Sequence, residues 1–566
     1  MTAPIFDYVI VGAGSAGCVL ANRLTEDPKV TVLLLEAGGS DRSIFIQMPS
    51  ALAIPMNSPK YDWGDYTEPE PGLGGRRLHC PRGKALGGSS SINGMAYVRG
   101  NALDFETWVT LGARGWSYGE VLPYFRKAES HARGADPYRG ADGPLHTRRG
   151  TLRNPLYQAF IDAGREAGYP VTEDMNGFQQ EGFGPMDMTV HRGRRWSAAN
   201  AYIKPIRGRG NLMVELGVLV TGLTFQGNRV DGVRYLKGEG EFRAQAGREV
   251  ILSAGPINDP QLLMLSGIGP AADLKDQGIA VRDDLPGVGQ NLMDHLELYV
   301  QFACTRPITL YGHMNPLAKA AIGVRWLLAK DGLGATNHFE AGGFIRSRPG
   351  VRWPDIQYHF LPIAVAYDGS SLAERHGFQA HVGPMRSTSR GWVRLASADP
   401  RARPRVRFNY LSAAADRVEM RACVRLTREI FGQPAFDPYR AEELAPGDRV
   451  QDDDAIDDFV RRTVESAFHP CGTAKMGTDP LAVVDPECRV HGVAGLRVVD
   501  SAILPQITTG NLNAPTIMLA EKAADMIKGV APLPSVETPY YQAPDWQTRQ
   551  RPGPPLRQVR PTSRTL

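Results

Sequence analysis

The sequence predicts an α/β fold, a doubly wound Rossmann-type domain into which an α+β domain built on an antiparallel sheet is inserted. Three observations carry this. An apolar run, Tyr8 to Val11, meets Gly12-Ala13-Gly14-Ser15-Ala16-Gly17, and a helical stretch from Cys18 to Leu24 follows at once. A second apolar strand, Val30 to Leu35, then ends in Glu36. Strand-and-glycine elements return near the C-terminus, whereas the middle of the chain reads as sheet. Strand, glycines, helix, strand and acid in that order form a dinucleotide fingerprint. Gly12 permits the tight turn, Gly14 lets backbone approach a pyrophosphate, and Gly17 lets helix and strand pack closely. The helix N-terminus, with Ser15, offers N–H groups and a positive dipole end to the phosphates. Glu36 is placed to hold a ribose hydroxyl.

The remaining elements follow in chain order. A long loop-rich region punctuated by Pro49, Pro55, Pro69 and Pro71 has too many breakers for regular structure. Alternation from Leu212 to Val233 predicts strands, and Val250 to Ser253 another, followed by a turn and helix over Gly255 to Gly269. Between Glu297 and Arg407 lie strands such as Gly377 to Met385 and Gly391 to Ala396, with a helix near Ala318 to Leu328. Leu496 to Val499 is a strand closing on Asp500, and Ala514 to Lys528 has helical apolar spacing. From about Ala531 the chain is rich in Pro and Arg with few aliphatics, the composition of a disordered or loosely docked tail.

Bulk properties exclude several classes. The 566 residues can bury large cores, and 42% hydrophobic with 22% charged residues is ordinary for a globular protein. A net charge of +4 leaves no nucleic-acid footprint. No apolar run reaches membrane-spanning length. The N-terminus enters the first strand without a signal region, and six cysteines lack CxxC spacing. These features predict a cytoplasmic protein with no metal site and no disulfide framework.

A second glycine loop, Gly83-Lys84-Ala85-Leu86-Gly87-Gly88-Ser89-Ser90-Ser91-Ile92-Asn93, offers close backbone N–H groups and small hydroxyls. It resembles the first signature of the glucose–methanol–choline (GMC) oxidoreductase family. Gly255-Pro256-Ile257-Asn258-Asp259-Pro260 and the residues on to Gly269 resemble its second signature, with Asp259 where the family usually has Ser or Thr. The blocks Phe468-His469-Pro470-Cys471-Gly472-Thr473 and Gly510-Asn511-Leu512-Asn513-Ala514-Pro515-Thr516 are similar to its C-terminal motifs. Resemblance runs from about Phe6 to Lys528. It implies FAD as cofactor, held by Gly12, Gly14, Ser15, Gly17, Glu36, Ala37, Gly87, Ser91, Asn93, Gly94, Val220, Asp500 and Asn511. Ile92 stands where some relatives carry a histidine, so the FAD is expected to be non-covalent. The implied FAD-binding domain comprises residues 1–155, 195–300 and 460–530, the substrate domain 156–194 and 301–459, and the tail 531–566.

Within the family, Gln47-Met48-Pro49, Gly182 to Asp187, Phe339 to Ser347 and Ile356 to Pro362 look like the choline-oxidising members. The resemblance implies oxidation of choline to betaine aldehyde, and onward to glycine betaine through the hydrated aldehyde, by hydride transfer to flavin N5. His469 is then the general base and Asn513 the second active-site residue, which holds the alcohol oxygen; read alone, Asn513 is equally a helix cap. His338-Phe339-Glu340 resembles a His-x-Glu segment whose carboxylate faces the trimethylammonium group. Trp63 resembles an aromatic wall of that site and His359 a further histidine in it, with Trp353 and Tyr367 as candidates for a second aromatic. Another primary alcohol, long-chain or aromatic, is the alternative substrate; hydroxynitrile lyases share the fold without net redox. Quinone and oxygen both remain open as electron acceptors. The basic tail, with Arg549, Arg551, Arg557, Arg560 and Arg564, is either solvated or a peripheral contact with an anionic membrane.

Overall fold

The computed structural model describes residues 4–366 and 375–558. Two large sheets organise it. In the first, strands Leu212–Leu216, Val32–Glu36, Ile5–Val11 and Gly240–Leu252 run parallel in that spatial order. Val9, Ile10, Leu33 and Leu34 lie among fully covered neighbours, the pattern of a parallel sheet buried on both faces, and hence the unbroken apolar runs. The long strand Gly240–Leu252 is shared. Its first half pairs antiparallel with Arg229–Lys237, and its last three residues pair parallel with Leu496–Val498. The C-terminal strand thus completes a sheet begun at residue 5.

The second sheet is antiparallel throughout, in the order Arg440–Ala445, Leu296–Cys304, Gly377–Pro384, Ile356–Leu361, Ala341–Ile345, Gly182–Pro185. Leu296–Cys304 belongs wholly to it, so the sheet starts ahead of the boundary expected at residue 300. Its outer face packs an aromatic core in which Phe160 stacks on Phe360 with ring centroids 4.8 Å apart, and Phe378 on Phe436 at 4.9 Å.

Helix limits differ modestly from expectation. The first helix spans Ser15–Leu24, taking Gly17 inside it. The helix expected at Ala318 begins at Pro316, because Asn315 caps it through Ala318 N–H at 2.9 Å. The expected strand over Gly391 to Ala396 shortens to Trp392–Arg394.

The tail departs most from its prediction. Residues 531–558 form an extended, docked strap rather than a loose end. Val536 N–H donates to Gly119 O (3.0 Å), Tyr541 N–H to Phe178 O (2.8 Å) and Leu556 N–H to Glu166 O (2.7 Å). Arg551 pairs with Glu429, Arg557 with Asp437 at 2.6 Å, and Arg549 with Asp545 at 3.7 Å. The tail has few aliphatics, but Leu533 packs on the core and Tyr540 and Tyr541 meet Tyr118 and Phe178 edge-on, and these contacts join the hydrogen bonds and ion pairs to distant segments. Arg560 and Arg564 lie outside the described residues.

Candidate active site

The two glycine motifs build one cradle. Gly12 has φ +97°, and a Cβ there would lie 2.4 Å from the Ser253 carbonyl oxygen. A Cβ on Gly17 would lie 1.9 Å from the Gly12 carbonyl oxygen, so helix and turn touch only because both are glycine. Gly88, at φ +52°, rests on the Gly14 Cα, which joins the second loop to the first. Gly12, Gly14, Ser15, Glu36, Ala37, Asn93, Gly94, Val220 and Asp500 all line the resulting cleft. Glu36 accepts from Ala13 N–H (2.9 Å) and Gly38 N–H (2.7 Å), and burial raises its carboxyl to about 7. Each Glu36 oxygen keeps a lone pair for a ribose hydroxyl.

Gly87 and Ser91 are corrected from lining to support. Gly87 N–H donates to Ala13 O at 2.8 Å, and buried Ser91 Oγ donates to Leu86 O at 2.6 Å. Gly88, Ser89 and Ser90 present themselves to the cleft instead. A support that sequence reading missed is Arg195. It is fully enclosed and donates to Ile46 O (2.8 Å) and to the Asn93 carbonyl and side-chain oxygens (2.6 and 2.9 Å).

Asp259 has a physical account. Its Oδ1 accepts from Ala254 N–H (2.9 Å), while Asp500 accepts from Gly255 N–H (2.6 Å) and Ala502 N–H (2.7 Å). Burial first, then the Asp500 charge, push Asp259 well above the carboxylate range. Burial beside Asp500 thus favours the protonated form of Asp259, which eases the repulsion between the two carboxyls.

At the other end of the cleft a hydrogen-bond chain fixes the state of His469. His295 Nε2 lies 3.0 Å from the Met385 carbonyl oxygen, so that nitrogen carries the proton and His295 Nδ1 accepts. His469 Nδ1–H then donates to His295 Nδ1 at 3.0 Å, which leaves His469 Nε2 as an acceptor. Burial, and after it His295, His359 and Arg82, hold His469 well below its usual value. Burial likewise lowers His295 and His359 to about 4. His469 is thus a neutral base at neutral pH.

The amide facing this lone pair belongs to Asn511, not Asn513. Asn511 Nδ2 lies 3.1 Å from His469 Nε2, and Asn511 Oδ1 accepts from Gln357 Nε2 (3.0 Å) and His359 Nε2 (3.3 Å). Asn513 opens the helix Asn513–Lys528 and accepts from Ser15 Oγ at 2.8 Å, on the cradle side. Both line the cleft, with Asn511 at the histidine end and Asn513 against the cradle. Asn511→Ala should lower turnover about ten- to a hundredfold with flavin content unchanged, by loss of one charge-orienting donor. Asn513→Ala should instead loosen the flavin; steady-state kinetics and flavin-to-protein absorbance ratios on both variants separate the two.

Glu340 is also corrected. It is buried, but it accepts from Thr336 Oγ1 (2.6 Å), Thr151 Oγ1 (3.0 Å) and Leu152 N–H (2.7 Å) and does not line the cleft. The carboxylate that does is Glu297, 4% exposed and 2.9 Å from His381 Nδ1. His295-Leu296-Glu297 is a second His-x-Glu. Alternate residues of an extended strand share a face, so His295 and Glu297 turn to the site while Leu296 enters the core. Phe339 lines the cleft, edge-on to His359 and His381 at 5.7 Å each. Trp63 lines it too, with Arg403 at 4.3 Å and Lys84 at 4.8 Å over its ring. Trp353 donates to Asp104 at 3.2 Å, away from the site, and Tyr367 lies outside the described residues.

A dinucleotide cradle that opens onto a neutral histidine base defines a flavin-dependent alcohol oxidoreductase. The chain belongs to the GMC oxidoreductase family, whose pattern matches residues 6–297 and 387–520. It is 58% identical over 547 residues to an oxygen-dependent choline dehydrogenase of Brucella ovis, covering 96% of this chain and all of that one. To the protein of the same description from Photobacterium profundum it is 57% identical over 552 residues, 97% of each chain. Among solved structures, pyridoxine 4-oxidase from Mesorbium loti superposes with TM-score 0.84 at 33% identity, over 93% of this chain and 100% of that one. A formate oxidase superposes with TM-score 0.88 at 28% identity, over 94% and 99%. The cofactor is FAD, and the cradle fits it: Gly12, Gly14 and Gly88 leave the surface free of Cβ atoms where a pyrophosphate meets the helix N-terminus.

Proposed function

We propose that the chain oxidises choline to betaine aldehyde, and the hydrated aldehyde on to glycine betaine. The observation that supports this best is Glu297, an enclosed carboxylate in the same cleft as a neutral His469. A permanent cation needs such a local anion, because the chain as a whole carries +4. Phe339 adds an aromatic edge and wall at that end, whereas Trp63 already carries two protein cations. Asn511 holds the alcohol oxygen, and His469 Nε2 takes the hydroxyl proton. His295 steadies the ring through Nδ1, so the Nε2 lone pair stays turned to Asn511, where the alcohol oxygen would sit. When bound, FAD supplies the acceptor for the hydride that leaves the alcohol carbon. Ile92 lines the cleft and cannot form a covalent flavin bond, which supports a non-covalent cofactor. The relatives' name, oxygen-dependent, supports oxygen rather than a quinone as the final acceptor.

Anaerobic addition of choline should bleach the flavin absorbance, and oxygen should restore it; bleaching by neutral alcohols but not by choline would overturn the reading. Acid precipitation should leave the flavin in the supernatant.

A further inference from the structure

The helix Pro316–Ala329 wears its apolar face outward. Leu317 is 84% exposed, Leu328 83%, Val324 55% and Leu327 52%, and only Trp326 is buried. At 100° per residue Leu317, Ala320, Ala321, Val324, Leu327 and Leu328 form one continuous stripe, and the helix contains no acidic residue. Its inner side is anchored. Trp326 Nε1 donates to Gly193 O at 2.6 Å, and Asn315 caps the first turn. A rigidly held helix therefore presents leucines to solvent, the reverse of an ordinary surface helix.

The surroundings are basic. Lys319 and Arg325 project from the helix, and Arg192 and Arg194 from the hairpin whose Gly193 receives Trp326; all four are exposed. Asp331, just past the C-terminus, is engaged by Arg325 at 2.7 Å. An apolar stripe rimmed by cations complements an anionic lipid surface, with acyl chains for the leucines and phosphates for the rim. A second copy of the chain fits less well. A 14-residue helix offers a face on the order of 200 Å², against about 800 Å² per partner in a stable interface.

We infer that Pro316–Ala329 is a membrane-docking helix that lies in the headgroup layer of an anionic bilayer with Leu317, Val324, Leu327 and Leu328 inserted. In the described part of the tail, Arg549, Arg551 and Arg557 are instead paired within the chain. The following turn, Gly332–Ala335, leads along the chain to Phe339, which lines the cleft. The inference does not depend on choline as substrate.

Co-sedimentation of the full-length, flavin-loaded enzyme tests it, with vesicles of phosphatidylcholine alone or mixed with phosphatidylglycerol. The wild type should sediment with the mixed vesicles and be released by salt. Leu317→Gln with Leu328→Gln, at positions too exposed to affect folding, should reduce binding at least about tenfold without altering flavin content or turnover. Replacing Lys319, Arg192 and Arg194 by Gln should weaken binding to the mixed vesicles by about fivefold per charge, and leave phosphatidylcholine binding unchanged. A wild type that sediments with neither vesicle, or a leucine variant that binds like the wild type, overturns the proposal. So does a solution dimer that the leucine variant splits, which would give the face to a second copy.

Discussion

Glu297→Gln should raise the Michaelis constant for choline about 30- to 1000-fold more than that for 3,3-dimethylbutan-1-ol, its neutral isostere. The figure follows from roughly 2–4 kcal/mol for one charge pair at an effective dielectric near 20. The amide keeps the shape of the pocket and one acceptor oxygen for His381, and deletes the charge. Glu340→Gln is the control. There the new NH2 group would face the Leu152 N–H or a threonine hydroxyl, leaving buried donors unmatched at about 1–3 kcal/mol, with no preference between the two alcohols. Michaelis constants for both alcohols on both variants decide the matter. An equal loss for the two alcohols in Glu297→Gln would remove the main support for choline.

His469→Ala should lower turnover by about two to four orders of magnitude, the worth of a positioned base, with the flavin spectrum intact. Activity within a few fold of wild type would pass the role to His359. The wild-type pH profile carries the same information. Because burial depresses His469, its neutral form persists through neutral pH, and kcat/KM should stay level above pH 6.5 and fall only below it. Stability follows the same sign. His295 and His359 ionise near 4 in the folded chain and near 6.5 when unfolded. Each favours the folded chain above pH 6.5, and that contribution, on the order of 3 kcal/mol per histidine, is lost as pH falls through 4. Melting temperatures across this range measure it.

The first turn was legible because backbone conformation dictates its residues: only glycine tolerates the contacts at positions 12 and 17, whereas in the second loop the sequence pointed to Gly87 and it is Gly88 that meets Gly14. His469 was legible from its motif. The substrate end was misread where sequence offered two equal choices. Two His-x-Glu segments occur, and only sheet position shows that Glu297 faces the cleft while Glu340 is enclosed by Thr151 and Thr336. A strand boundary before residue 296 would have revealed this, since period-two alternation puts His295 and Glu297 on one side. Asn511 and Asn513 are likewise two residues apart around the start of a helix, and no local propensity says which one meets His469. Arg195 has only backbone carbonyls and one amide as partners, so no charge pattern announces it.

The closure of the cradle depends on the strand Gly240–Leu252 and its C-terminal partner. Ile5–Val11 and Gly240–Leu252 lie in the N-terminal half, but Leu496–Val498 and the helix that meets the first helix lie near the other end of the chain. Ser15 waits for Asn513, and Arg23 for Glu521, each partner 498 residues downstream. A nascent chain that has emerged only as far as residue 495 lacks the Asp500 carboxylate, the Asn511 amide and the cap on Ser15. The cofactor cradle is therefore complete only when the segment from Leu496 to Lys528 has joined the N-terminal half, so the two ends of the chain hold one binding site between them.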